Sequence, residues 1–131
     1  VSSDEFTDEV TELCLLSSTE NMKIYPYFHE WKEIEDTEKT THIFRIIQEL
    51  VQNAIKHSQA TKVHVQLIRE GNDLSIIYED NGVGFNHQKS RLKGVGLKGI
   101  ENRTELIGGT IVFDSAYRNT GTAITIEIKV K

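Results

Sequence analysis

Asp80 is the residue whose type and position most strongly indicate chemistry. The segment "DLSIIYED" at residues 73–80 predicts a strand with Leu74, Ile76 and Tyr78 on one face, and Asp80 continues that face. A carboxylate that points toward the interior is costly unless hydrogen-bond donors or a ligand surround it. In the following "DNGVGF", Gly82 and Gly84 permit positive φ and let a ligand approach the backbone. The same letters also fit an ordinary turn.

A stripe of polar side chains runs along the helix predicted for residues 39–57. Its members recur at helical spacing: Glu49, Gln52, Asn53, Lys56 and His57. At roughly 100° per residue, Asn53 and His57 fall at the border between this stripe and the apolar one. Because Mg²⁺ takes oxygen ligands and keeps phosphates and waters in its shell, an asparagine oxygen beside a nucleotide is a reasonable site for it. The alternative interpretation is a solvated helix face.

Three glycines, Gly94, Gly96 and Gly99, match the pattern G-x-G-x-x-G. A dinucleotide-binding turn needs an apolar strand directly before the first glycine, and the polar, basic "NHQKSRLK" stands there instead. The sequence also lacks G-x-x-x-x-G-K-[ST], and it lacks the V-A-I-K and H-R-D of protein kinases. What remains is a helix that starts near Leu97, whose free amides can bind phosphate. The segment before it carries three cations that could fold over a nucleotide: Lys89, Arg91 and Lys93.

The elements that must position these residues can be predicted from hydrophobic periodicity and turn signals. The predicted order is helix 3–16, strand 22–30, helix 39–57, strands 62–68 and 73–80, helix 97–107, and strands 110–115 and 123–130. Pro26 makes the first strand an edge strand, and a turn at residues 70–73 joins the central pair as a hairpin. Hairpin-joined strands with helices on one face indicate a two-layer α/β sandwich of the α+β class, mostly antiparallel.

Candidate core positions follow from the same periodicity. The long helix presents an apolar stripe: Ile43, Ile46, Ile47, Leu50, Val51, Ala54 and Ile55. The last strand presents an inward face: Ile124, Ile126, Ile128 and Val130. Cys14 is predicted to be a small buried hydrophobe and Trp31 a packing residue. The four dispersed histidines considered as ligands show no zinc-binding spacing: His29, His42, His64 and His87.

Composition bounds the class of protein. The 131 residues suffice for a single domain, residues 1–131, and 37% hydrophobic with 27% charged residues predict a globular chain. The net charge of −5 argues against nucleic acid as a partner. A single cysteine indicates a reducing, cytoplasmic setting, and no apolar run reaches the length of a membrane span. The chain begins at Val1 without Met, which predicts a piece of a longer protein.

Four segments, taken in order, resemble the ATP-binding boxes shared by DNA gyrase, the ATP-driven heat-shock chaperone, histidine kinases and MutL. "QELVQNAIKHSQA" resembles the N box, "EDNGVGF" the first glycine box, "KGVGLKGIENR" the second, and "TGTAITIEI" the closing Gly-Thr strand. The N box and both glycine boxes lie within residues 45–103. The chain is most similar to the catalytic domain of two-component sensor histidine kinases of the short-lid, nitrate-sensor kind. This resemblance implies a Bergerat ATP-binding fold, with a mixed, mostly antiparallel sheet covered by helices on one face.

The resemblance also implies roles for individual residues. Asp80 would accept the adenine amino group, supported by Thr122 through water. Asn53 would hold Mg²⁺, which makes it both a metal ligand and a catalytic residue. Further contacts to ATP are implied for two groups of residues. The N box would supply Lys56 and His57, with Lys56 also catalytic, and the glycine boxes would supply Gly82, Val83, Gly84, Lys93, Gly94, Val95, Gly96 and Leu97. Glu49 matches a position that activates water in gyrase-like relatives, and here it would assist the metal shell or the transfer.

The implied function is that of an ATP·Mg²⁺-binding protein-histidine kinase domain. It would pass the γ-phosphoryl of ATP to a histidine on an upstream dimerisation domain, for relay to a response regulator. The predicted first helix contains no histidine, so the phosphoacceptor is expected outside this chain. The expected location is cytoplasmic, in a parent protein that is itself anchored to the membrane, with no membrane contact by this fragment. The alternatives are a stand-alone serine kinase of the anti-sigma-factor type and a non-catalytic nucleotide-binding module.

Overall fold

Within the described residues, the fold consists of three α-helices, a short π-helix and five strands. The computed structural model describes residues 2–82, 97–115 and 121–130, with side chains from Glu5 onward except at 114 and 115. In chain order the elements are α1 Ser2–Ser17, β1 Lys23–His29, α2 Thr37–Asn53, the π-helix Ala54–Ser58, β2 Lys62–Glu70, β3 Asp73–Asp80, α3 Leu97–Leu106, β4 Thr110–Ser115 and β5 Thr122–Lys129. The predicted order of elements is confirmed.

Local signals explain where the helices begin and end. The side chain of Asp36 accepts hydrogen bonds from the backbone amides of Glu38 (3.0 Å) and Lys39 (3.1 Å), so α2 begins two residues earlier than predicted. After α3, Gly108 adopts a left-handed φ of +73°, and the amide of Gly109 donates to the carbonyl of Thr104 at 2.8 Å. The predicted glycine stop of α3 is therefore confirmed.

The sheet has the strand order β1-β2-β3-β5-β4. Strand β1 pairs in parallel with β2 and lies at one edge, as Pro26 predicts, while the other three pairings are antiparallel. Alternate residues of each central strand are buried, for example Val63, Val65 and Leu67 of β2, and their neighbours are at least partly exposed. Because one face is buried and the other open, the architecture is the predicted two-layer sandwich with a mixed, mostly antiparallel sheet.

The apolar stripe of α2 and the inward face of β5 form the centre of the core, as predicted, with one exception. Ile55 is 50% exposed, and His57, predicted at the border of the stripe, is also exposed. The cause is the π-helix Ala54–Ser58, in which each residue advances by less than the roughly 100° of an α-helix. His57 is therefore turned outward, and Ser58 takes the inward position.

The side of the molecule near α1 is packed by aromatic rings. Trp31 stacks on Phe6 with ring centroids 4.8 Å apart, which confirms it as a packing residue. Cys14 is fully buried, as predicted, and burial raises the pKa of its thiol to about 11. No helix in the described ranges is both long and apolar enough to cross a membrane.

Candidate functional site

The carboxylate of Asp80 lies at the end of β3, half-buried and firmly held. Its Oδ1 accepts a hydrogen bond from the amide of Gly82 at 2.9 Å, and its Oδ2 accepts a short one from the hydroxyl of Tyr78. Tyr78 precedes it on the same inward face and is itself buried. The backbone thus turns directly after Asp80 and donates back to its side chain, which fixes both oxygens before any ligand arrives.

Tyr78 is a dependable donor to this carboxylate. Burial, the charge of Asp80 and the hydrogen bond to it raise the pKa of Tyr78 far above its ordinary value of 10.0. The phenol therefore keeps its proton at every physiological pH, and Asp80 retains one donor on Oδ2.

Asn81 fastens the end of β3 to the start of β2. Its Oδ1 accepts from the amides of Thr61 and Lys62, both at 2.9 Å, and its Nδ2 donates to the hydroxyl of Thr61 at 2.9 Å. The residue between Asp80 and Gly82 thus has a structural role. Sequence reasoning treated it only as a turn residue, because its partners lie about twenty positions earlier in the chain.

Gly82 joins the end of β3 to the end of the helix that carries the polar stripe. A Cβ placed on Gly82 would lie 2.0 Å from the carbonyl oxygen of Ser58 and 3.1 Å from the amide of Ala60. Only glycine allows these two backbone segments to approach so closely. The structure gives Gly82 this packing role, in addition to the ligand approach predicted from the sequence.

Strand β5 contributes from the other side of Asp80. Thr122 is buried and pairs with Asp80 in the antiparallel register of β3 and β5. The preceding Gly121 has a φ of +110°, and a Cβ on it would lie 2.0 Å from the carbonyl oxygen of Asp80. This glycine was not singled out in the sequence, although the "TGT" motif contains it.

On α2, Glu49 and Asn53 present polar groups one turn apart. Glu49 Oε2 and Asn53 Nδ2 are buried, and neither has a hydrogen-bond partner within the described residues. Residues four apart lie on one face of a helix, so these groups serve the same space. Buried polar groups without partners are expensive. The carboxylate of Glu49 and the amide oxygen of Asn53 are the oxygen ligands that Mg²⁺ takes, whereas Asn53 Nδ2 can only donate, as it would to a phosphate or water oxygen. The residues present therefore fit the predicted metal.

The start of α3 packs directly against Glu49. A Cβ on Gly99 would lie 3.0 Å from Glu49 Oε2 and 3.1 Å from Oε1, and Arg103 Nε lies 3.5 Å from Oε1. Arg103 Nη1 also lies 3.3 Å from His42 Nδ1, where the histidine must accept because a guanidinium has no acceptor. Sequence reasoning missed Arg103, since its partners belong to another helix.

The remaining predicted site residues divide into three groups. Leu97 is buried at the start of α3, while Lys56 and His57 are exposed at the π-helix. A third set lies outside the described residues: Val83, Gly84, Lys93, Gly94, Val95 and Gly96. The structure thus brings the end of β3 against the π-helix through Gly82 and Ser58, and the start of α3 against the C-terminal half of α2 through Gly99 and Glu49.

Comparison with known families gives a match over most of the chain. The family model described as "Histidine kinase-, DNA gyrase B-, and HSP90-like ATPase" matches residues 38–131. These residues include every element of the site described above.

Two curated relatives are sensor kinases. Sensor histidine kinase ComP of Bacillus subtilis is 37% identical over 97 residues, which is 72% of this chain and 12% of that protein. Oxygen sensor histidine kinase NreB of Staphylococcus carnosus is 36% identical over 96 residues, or 72% of this chain and 27% of that protein. The chain therefore spans about an eighth to a quarter of the length of these relatives.

Solved structures share the fold. A histidine kinase domain from the blue-light activated kinase of Erythrobacter litoralis has a TM-score of 0.76 at 18% identity, covering 98% of this chain and 60% of that one. The mycobacterial sensor histidine kinase MprB has a TM-score of 0.71 at 22% identity, covering 96% of this chain and 93% of that one. The mixed sheet with helices on one face is thus the architecture of these kinase domains.

Proposed function

Because the chain belongs to the histidine kinase-, DNA gyrase B- and HSP90-like ATPase family, we propose that it is the ATP·Mg²⁺-binding catalytic domain of a sensor histidine kinase. The observation that carries this proposal is the anchored carboxylate of Asp80, two residues before the Gly82 that packs against the π-helix, in a chain whose relatives are sensor histidine kinases. Those relatives favour it over a stand-alone serine kinase. Residues 1–131 form one domain in this proposal.

In the proposed mechanism, the residues bind and orient ATP. Asp80 accepts a hydrogen bond from the adenine amino group, and Thr122 supports it from β5. Lys56 and His57 contact phosphates from the π-helix that follows α2, together with the amides at the start of α3 around Leu97 and the glycine segment before it. Bound Mg²⁺ would be held by Asn53 and would neutralise phosphate charge. Catalysis then comes from position and charge.

The phosphoryl acceptor and the later partners lie outside this chain. The γ-phosphoryl group goes to a histidine of a dimerisation domain in the same parent protein, and from there to an aspartate of a response regulator. The parent is membrane-associated, with this domain on the cytoplasmic side. Glu49 assists the transfer from α2.

Calorimetric titration of the chain with ATP, with and without Mg²⁺, tests the proposal. Asp80→Asn should weaken binding at least about tenfold, or about 1.4 kcal/mol, because one acceptor oxygen becomes a donor that faces the adenine amino group. The amide oxygen that remains can still accept from Gly82, so the fold should be retained.

Glu79→Gln is the matched control, since Glu79 is an exposed acid one residue earlier on the opposite face of β3. It should bind ATP like the parent chain. Absence of binding to the parent chain at millimolar ATP would refute the proposed function, and equal binding by Asp80→Asn would refute the adenine assignment.

A further inference from the structure

The carboxylate of Glu49 is held from α3 by two different contacts. On one side it lies against the backbone of Gly99, where an added Cβ would come within 3.0 Å of Oε2. On the other side Oε1 lies 3.5 Å from Arg103 Nε. Gly99 is the third residue of α3, so the carboxylate meets the first turn of that helix, where the dipole favours a negative charge.

The two oxygens of Glu49 consequently differ. Oε1 faces the guanidinium, whereas Oε2 is buried and without a partner in the described residues. Asn53 Nδ2, one turn along the same helix face, is in the same condition. An unused acceptor and an unused donor on one helix face are groups that a bound water can satisfy, by donating to Oε2 and accepting from Nδ2.

Arg103 is in turn fixed by a third residue. Its Nη1 lies 3.3 Å from His42 Nδ1, while a different nitrogen of the same guanidinium, Nε, faces Glu49. Both His42 and Glu49 belong to α2, so the guanidinium bridges two points on one helix. Because the guanidinium is planar and always charged, these contacts at Nε and Nη1 favour the orientation in which it faces the carboxylate.

We propose that Arg103 is a positioning residue for phosphoryl transfer, which orients Glu49 and neutralises its charge beside the triphosphate. This inference rests on the proposed function, because it assumes that ATP binds next to α2. Without Arg103, the carboxylate would be free to rotate, and its negative charge would repel the phosphates. With Arg103 in place, Oε2 is left to serve the same space as Asn53.

A charge-coupling experiment separates this role from a simple tie between two helices. ATP affinity is measured by calorimetry on the chain, and the rate of histidine phosphorylation is measured on the full parent kinase. Arg103→Met should weaken ATP binding about fivefold. It should also lower kcat about tenfold.

The double variant Glu49→Gln with Arg103→Met is the decisive one. Removing the carboxylate charge should restore ATP affinity to within about twofold of the parent chain, whereas kcat should stay as low as in the single Arg103→Met variant. If Arg103 served only to connect α2 and α3, the loss of both partners would not recover the ATP affinity. Arg103→Lys keeps the positive charge but loses the planar set of N–H donors of the guanidinium. It should keep the ATP affinity of the parent chain, with a kcat between those of the parent and of Arg103→Met.

Arg45→Met is the matched control, because Arg45 is an exposed arginine of α2 that donates to Gln48 at 2.9 Å. Both affinity and kcat should be unchanged.

If Arg103→Met leaves kcat at the parent value, or if the double variant shows no recovery of affinity, the positioning role is wrong. If Arg103→Met does not fold, Arg103→Lys decides: parent-level kcat would overturn the role. If the parent chain itself binds no ATP, the proposed function fails instead.

Discussion

Two carboxylates of the candidate site, Asp80 and Glu49, are held in opposite ways. Both oxygens of Asp80 accept hydrogen bonds from its own segment, from Gly82 and from Tyr78. Glu49 has one oxygen at 3.5 Å from a guanidinium of another helix, and its other oxygen is buried without a partner in the described residues. Both oxygens of Asp80 thus have hydrogen-bond partners before a ligand binds, whereas one oxygen of Glu49 has none in the described residues.

The difference matches two tasks. A group that recognises one base gains from a fixed orientation, because discrimination depends on the alignment of a few hydrogen bonds. A group beside phosphates and a metal must accept different partners as charge moves, so unused hydrogen-bonding capacity there is consistent with function. The strand end is therefore expected to tolerate substitution poorly, and the helix face to reveal its role only when ligand is present.

The largest effect is expected at the support of Asp80. Gly82→Ala would place a Cβ 2.0 Å from the carbonyl oxygen of Ser58, a backbone atom that cannot move aside cheaply. The free energy of unfolding should fall by roughly 2–4 kcal/mol, measured by urea denaturation.

Gly71→Asn is the control for this change. Gly71 lies in the hairpin turn with φ +60°, and no atom of the described residues lies within 4 Å of an added Cβ. Asparagine tolerates that conformation. Its stability should change by less than about 1 kcal/mol. Equal losses in the two variants would show that the contact between Gly82 and Ser58 is unimportant.

Next in size is a change on the helix face. Asn53→Ala should leave the stability and the metal-free ATP affinity nearly unchanged, but lower the affinity for ATP in the presence of Mg²⁺ by about tenfold or more. Calorimetry with and without Mg²⁺ measures both. Gln52→Ala, at the exposed neighbouring position of α2, is the control. A loss of equal size with and without metal would contradict a ligand role for Asn53.

A smaller effect tests whether Asp80 needs its fixed orientation. Tyr78→Phe removes only the hydroxyl that donates to Asp80. ATP affinity should fall about fivefold, which corresponds to roughly 1 kcal/mol of binding free energy. Because the pKa of Tyr78 is raised, the tyrosine stays protonated, and this difference should be constant between about pH 7 and pH 9. A difference that disappears within this range would mean that the phenol loses its proton there.

The same contrast explains what the sequence could predict. The inward position of Asp80 follows from the two-residue period of β3, and the order of elements follows from hydrophobic periodicity, since both depend on near neighbours. The π-helix after Asn53 has no such signal. The sequence therefore wrongly predicted Ile55 in the apolar stripe and His57 at its border, whereas both are exposed. Asn81 and Arg103 act on residues 19 to 61 positions away, and no local pattern specifies those contacts.

The smallest effect is expected at Thr122, where the support of Asp80 is least direct. Thr122→Val preserves shape and strand propensity but removes the hydroxyl opposite Asp80 in the β3–β5 register. If that hydroxyl supports the adenine contact through a water, ATP affinity should fall about two- to threefold while stability changes little, because a bridging water contributes less than a direct bond. Thr125→Val, at a half-buried position of the same strand, is the control and should leave affinity unchanged. If the Thr122→Val chain binds ATP like the parent, the donors Gly82 and Tyr78 are sufficient to hold Asp80 for adenine binding. The contrast with Glu49, which has an oxygen without a partner in the described residues, would then be sharper.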